Sequence, residues 1–243
     1  MTYCVGMKMN RGLVFMSDTR TNAGIDNVST FRKMFTWEKP GERVITLLSA
    51  GNLATTQAVV SLIDERTKAP EDRRPSLLDT PSMFQTARVV GDTLKEVINS
   101  GAVEGQRADS AFNATFILGG QIKGGDPRLF MIYPEGNFVE SGDETPFFQI
   151  GEHKYGKPIL DRVARNDMRL GEAAKMVLLS FDSTLRSNLS VGMPIDLLLY
   201  ECGSLTISRT KRIEKDDAYF SMLSSAWSGA LREAFANIEP FDI

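Results

Sequence analysis

The order in which strand-like and helix-like segments follow one another constrains this chain most. In the first fifty residues apolar side chains recur with a period of two. Tyr3, Val5, Met7 and Met9 alternate with Cys4, Gly6 and Lys8, the pattern of a half-buried strand. Asn10-Arg11-Gly12 is a turn signal and Gly12–Asp18 returns, so the pair predicts a hairpin. Phe31–Trp37 and Arg43–Ala50 predict a third and fourth strand around Lys39-Pro40-Gly41, and the four read as an antiparallel sheet. The period changes at Gly51. Over 52–68, Leu53, Ala54, Val59, Val60, Leu62 and Ile63 fall near helical spacing. A loop with Pro70, Pro75 and Pro81 follows, then a second helix over 82–99. Its stripe of Phe84, Ala87, Val90, Leu94, Val97 and Ile98 suits either a core face or a subunit contact. Strands resume at Ala111–Leu118, Pro127–Tyr133 and Phe147–Ile150, and helices at 154–165 and 170–186. Ile195–Cys202 and Leu205–Ile213 read as a hairpin about Gly203-Ser204, and an amphipathic helix closes the chain over 216–237.

Strand blocks alternating with helix pairs do not suit the right-handed βαβ units of a parallel sheet. Two antiparallel sheets stacked face to face, each with helices on its outer side, accommodate the order. The expected class is α+β, a four-layer αββα sandwich. No repeat or linker divides residues 1–243, so a single domain is expected. A net charge of −3 with scattered charges argues against nucleic acid or an anionic membrane as partner. No apolar run reaches the ~18 residues of a membrane span, and the amino terminus lacks a signal peptide. Cys4 and Cys202 form neither a metal-ligand spacing nor a disulfide framework, so a reducing cytoplasm is expected.

The chemistry centres on Thr2. Once Met1 is removed, this residue carries a hydroxyl nucleophile and a free α-amine, which titrates at about 7.7–8.0 and can take the hydroxyl proton. The chain holds a single histidine, His153, and Thr2 needs none. Asp18 ends the second strand in Met-Ser-Asp-Thr-Arg. Lys33 lies in the third, flanked by apolar and aromatic neighbours that favour its desolvation and so a paired charge. Asp18 and Arg20 are its candidate partners, and a positive Lys33 beside Thr2 would lower the pKa of both hydroxyl and amine. Spacing alone equally allows an ordinary strand-edge ion pair. Ser49-Ala50-Gly51-Asn52 joins a strand to a helix with small residues; its backbone N–H groups would make an oxyanion hole, or it is a plain glycine before an Asn cap. Two polar loops, Gly151–Gly156 with His153 and Ser187–Gly192, could each reach a site or simply be a strand-to-helix cap and a helix end, and the sequence alone does not decide. Nucleotide-binding and zinc-protease motifs are missing.

Thr2 opening a strand, Gly12-Leu-Val-Phe-Met-Ser-Asp18-Thr-Arg20-Thr-Asn-Ala-Gly24, Lys33, and Ser-Ala-Gly51 at a strand-to-helix turn together resemble the proteasome β-subunit family. Its members are amino-terminal-nucleophile (Ntn) hydrolases with the αββα sandwich. Thr-Tyr-Cys-Val-Gly, Ser-Thr-Phe-Arg-Lys33-Met and Arg186-Ser-Asn-Leu-Ser-Val-Gly-Met-Pro look most like the bacterial ancestral beta subunit (Anbu) group. The resemblance implies a threonine peptidase or amide hydrolase with Thr2 as nucleophile, Lys33 tuning it, Asp18 holding Lys33 and the Gly51 N–H as oxyanion donor. Substrate side chains would meet Thr21, Phe31, Ser49 and Leu53. The family usually has Ser at the position of Glu152 and Asp near Asn188. Here Glu152, Ser187, Asn188 and Ser190 are the substitutes, with Arg20 in support. The resemblance further implies no cofactor, a homo-oligomer in a ring or open spiral, a peptide or amide substrate, and an ATP-dependent partner of unknown identity. It leaves open a non-catalytic assembly subunit or a narrow small-molecule amidase. With Met1 directly before Thr2, activation is expected to need only removal of Met1.

Overall fold

The computed structural model describes residues 2–22, 28–68, 75–101, 112–207 and 209–242. Two five-stranded antiparallel sheets lie face to face. The first has the order β10-β1-β2-β11-β12, built from Phe147–Gly151, Tyr3–Met9, Gly12–Asp18, Ile195–Glu201 and Arg209–Ile213. The second has the order β5-β6-β7-β8-β9, from Met34–Lys39, Arg43–Gly51, Ala114–Ile122, Arg128–Ile132 and Phe138–Glu140. A two-stranded ribbon, β3 (Arg20–Asn22) and β4 (Val28–Thr30), projects from the end of β2. Helices α1 (Leu53–Lys68) and α2 (Met83–Gly101) cover the second sheet, while α3 (Lys157–Val163), α4 (Leu170–Ser187) and α5 (Ala218–Ala236) lie on the side of the first.

Three apolar layers hold these four together, which is the expected αββα sandwich. Cys4, Leu13, Phe15 and Leu198 of one sheet meet Val44, Leu48, Ile117 and Leu129 of the other. Tyr3, Met7, Val14 and Met16 point the opposite way, onto Val177 and Phe181 of α4. Ile45, Leu47, Phe116 and Phe130 face Val59 of α1 and Val90 and Leu94 of α2. The stripe on the second helix is therefore a core face, although Phe84 at its start is exposed.

Several sequence expectations are corrected. The first four strands do not form one sheet: β1 and β2 belong to the first sheet, β5 and β6 to the second, and the ribbon between them carries the chain across. Long-range pairing of β2 with β11 and of β6 with β7 decides this, and local periodicity does not report it. Nor is β1 half-buried. Cys4 and Gly6 are as enclosed as Tyr3 and Val5, because one face meets the other sheet and the other face meets α4. The third strand starts at Met34, so Lys33 precedes it; β9 and the ribbon are additional. Helix α3 begins at Lys157, after Gly156 and with Pro158 in its first turn, which shortens the expected 154–165. Strand β12 begins at Arg209, with Leu205 held at φ 48° in the connection. Met1, Ala23, Gly24, Pro70 and Ala111 lie outside the described residues. Among those described, no helix is long and apolar enough to cross a membrane.

Candidate active site

Thr2 precedes β1 at the end of the sandwich and is buried. Its backbone is fixed by the ladder to β10: the Glu152 N–H donates to the Thr2 carbonyl at 2.7 Å. Gly151 stands opposite Tyr3 in that ladder at φ 82°, and a Cβ there would fall on the Thr2 carbonyl oxygen. Only glycine permits both the backbone conformation and the close approach.

Asp18, the last residue of β2, is fully buried and binds in three directions. Its Oδ1 accepts from the Lys33 ammonium at 2.7 Å and from the Tyr3 backbone N–H at 3.1 Å, and its Oδ2 from the Gly192 N–H at 3.3 Å. Lys33, itself 4% exposed, also donates to the Arg20 carbonyl at 2.5 Å. The carboxylate thus couples the lysine to the peptide group that follows Thr2. Burial pushes the Asp18 carboxyl above its ordinary range, while the Lys33 charge and the two backbone donors pull against it. This is the expected Asp18–Lys33 pair, in a buried rather than a strand-edge setting.

Tyr3 contributes more than its place in an alternating strand indicates. Its hydroxyl meets Ser180 Oγ of α4 at 2.6 Å and accepts from Gln149 Nε2 at 2.5 Å, and its ring packs on Phe181 with centroids 4.5 Å apart. Burial pushes its phenol up to about 12, so it stays a neutral anchor beside Thr2. Cys4 is likewise inert: burial raises its thiol, which donates to the Ser49 carbonyl at 3.5 Å.

Gly51 ends β6 at φ 112°, where a Cβ would strike the Asn113 backbone. Asn52 N–H donates to the Asn113 carbonyl at 2.9 Å, and Ser49 N–H donates to the Lys33 carbonyl at 3.0 Å on the opposite edge of β6. Alternation along an antiparallel strand then turns the Gly51 N–H to the Lys33 side, one step beyond the point where β5 begins. The Asn-cap reading of this turn is met, Asn52 Oδ1 accepting from Thr55 N–H at 2.9 Å at the start of α1.

The loops at 151–156 and 187–192 meet beside Thr2. Buried Asn188 donates through Nδ2 to Glu152 Oε2 at 3.0 Å, and its Oδ1 accepts the Ser190 N–H at 2.8 Å. Arg20 reaches the same loop, Nη1 to the Leu189 carbonyl at 2.9 Å, with its guanidinium seated where a Cβ on Gly192 would stand. Glu152, Asn188, Ser190 and Arg20 are therefore gathered, whereas Ser187 is exposed on the last turn of α4. His153 is exposed, with Nδ1 3.2 Å from the Gly151 carbonyl. Ser49 is buried. Thr21, in β3, and Phe31 and Leu53 are partly exposed, Phe31 tied by its N–H to the Thr19 carbonyl at 2.9 Å. The participation of Tyr3 and Gly192 rests on backbone N–H groups that no side-chain pattern reports, although Gly192 carries a sequence signal as the small residue ending a polar loop.

An αββα sandwich with a buried Asp–Lys pair behind its first strand defines a class that the family comparison identifies: residues 2–198 match the proteasome subunit model, and the chain belongs to that family. Within the family it is similar to Anbu from Hyphomicrobium sp. strain MC1, at 61% identity over 99% of this chain and 100% of that one, with a TM-score of 0.92. Anbu (ancestral beta-subunit) from Yersinia bercovieri is 47% identical over 99% and 100% of the two chains, with a TM-score of 0.93. The Pseudomonas aeruginosa protein, solved as a helical assembly of the Anbu complex, is 45% identical over 99% and 98%, with a TM-score of 0.91. No curated protein matches the chain.

Proposed function

We propose that this proteasome-type subunit is a threonine amide hydrolase, cleaving peptide or related amide bonds through Thr2 once Met1 is removed. The observation that carries the reading is Asp18, which holds a buried Lys33 and the Tyr3 N–H in one cluster at the start of β1. A lysine charge there favours an ionised hydroxyl and a neutral amine on Thr2. The Thr2 hydroxyl attacks the amide carbonyl, its proton passing to the α-amine. The Gly51 N–H donates to the oxyanion, a class of contact worth about 10²–10³ in rate. Collapse passes the proton to the leaving amine and leaves a Thr2 ester, which water then cleaves. Glu152 and Asn188, bonded to each other, are assigned to binding the α-amine, with Ser190 and Arg20 bonded into the same loop. Thr21, Phe31, Ser49 and Leu53 are assigned to the acyl side of the substrate.

Self-assembly belongs to the same reading. Tyr219, Met222, Leu231 and Phe235 on α5 and Ile238 and Phe241 beyond it are exposed apolar side chains, and only Leu223 of that helix is buried. A second copy of the chain is the assigned cover, in keeping with the helical assembly of the Pseudomonas relative. The catalytic proposal is tested by a threonine-reactive electrophile: wild type takes up the label and Thr2→Ala does not, and equal labelling of the two would overturn it.

A further inference from the structure

Two clefts lie end to end along β10. One, of about 390 Å³, runs between Gly51 and Gly151; the other, of about 460 Å³, continues past Phe147 toward Lys157 and Asp161 of α3. They share Met131, Gln149 and His153, and so form one groove. Strand β10 is its floor and the edge of its sheet, with β1 its one strand neighbour among the described residues. Register shows which of its backbone groups face the groove. Lys8 N–H donates to the Pro146 carbonyl and Glu152 N–H to the Thr2 carbonyl, each at 2.7 Å, which makes Phe148 and Ile150 the residues that bond to β1. Phe147, Gln149 and Gly151 then turn their N–H and C=O groups the other way. The Gly151 carbonyl accepts the His153 N–H at 3.1 Å; among the described residues the three N–H groups and the carbonyls of Phe147 and Gln149 have no backbone partner, and all three residues line the clefts. Such a row, repeating every second residue or about 7 Å, is the template for an added strand.

We propose that this groove binds the leaving-group side of an extended peptide substrate, as a strand added to β10. The proposal rests on Thr2 being the nucleophile. The groove starts at the gap between Gly51 and Gly151, whose neighbour Glu152 bonds the Thr2 carbonyl, and none of the acyl-side residues Thr21, Phe31, Ser49 and Leu53 lines it. A peptide crossing Thr2 therefore leaves along β10. Met131, Phe148 and Ile150 supply an apolar wall for alternate side chains.

The test uses a short dye-labelled peptide of alternating valine and serine with the full-length Thr2→Ala protein, read by fluorescence anisotropy. N-methylating one alternate set of peptide amides weakens binding by about ten-fold, the other set leaving it unchanged, because a strand bonds its neighbour through every second residue. Met131→Lys, which fills the groove, weakens the parent peptide similarly and leaves release of a small dye amine from an acyl-side substrate unchanged in protein that retains Thr2. Equal effects of both methylation sets, or no saturable binding, would overturn the proposal, as would unaltered affinity in a folded Met131→Lys protein. Wild-type labelling at Thr2 is read in parallel: binding without labelling overturns the catalytic reading alone, and labelling without binding overturns the groove alone.

Discussion

At the scale of the residue, Asp18 decides most. Charged side chains at the ends of apolar strands make Asp18 and Lys33 legible in the sequence, because a buried charge requires a partner. The backbone share is not legible there: the Tyr3 and Gly192 N–H donors have no side-chain signature. Lys33→Ala strands the Asp18 carboxylate and is expected to lower stability by about 3–5 kcal/mol by chemical denaturation, and to abolish labelling of Thr2. The pH dependence follows from the raised Asp18 carboxyl. Folded protein holds that proton more tightly than unfolded chain, so this group's contribution to stability falls as pH rises from 3.8 through the folded value. Reactivity runs the opposite way. Protonation removes the partner of Lys33. Below the fall that accompanies protonation of the Thr2 α-amine at about 7.7–8.0, the labelling rate is expected to show a second acid limb with a midpoint above 3.8, seen in a rate–pH profile. A midpoint at or below the ordinary carboxylate value would contradict the buried-pair account.

At the scale of the element, strand and helix types are readable from periodicity, while sheet membership is not. The split of β1–β2 from β5–β6 depends on partners more than sixty residues away in sequence, β11 and β7. The stripe on α2 suits core or contact by its spacing, and packing against β7 and β8 resolves it as core. Leu94→Ala is therefore expected to lower stability by about 2–5 kcal/mol in a melting experiment without altering the assembly state. Gly151→Ala places a Cβ against the Thr2 carbonyl in a left-handed conformation; a loss of about 1–3 kcal/mol is expected, together with slower labelling as the nucleophile shifts. Glycine at 151 is visible in the sequence, but the carbonyl it accommodates lies across the β1–β10 ladder.

At the scale of the whole molecule, three apolar layers bind two sheets and two helical layers, and the site lies at one end of the sandwich where β1, β6 and β10 terminate or begin. The αββα order is legible because covered sheets and outer helices leave different periods; the site's closure is not, because loops 151–156 and 187–192 meet only in three dimensions. Replacing Phe235 and Phe241 by glutamate is expected to shift the sedimentation profile toward smaller species with the fold intact by circular dichroism. The central claim is that Thr2, freed of Met1, is a nucleophile. Intact-mass spectrometry of cell-derived protein before and after exposure to a threonine-reactive electrophile tests it most directly. The account predicts a mass lacking Met1 that gains one label in wild type and none in Thr2→Ala; retained Met1, or equal labelling of both proteins, would contradict it.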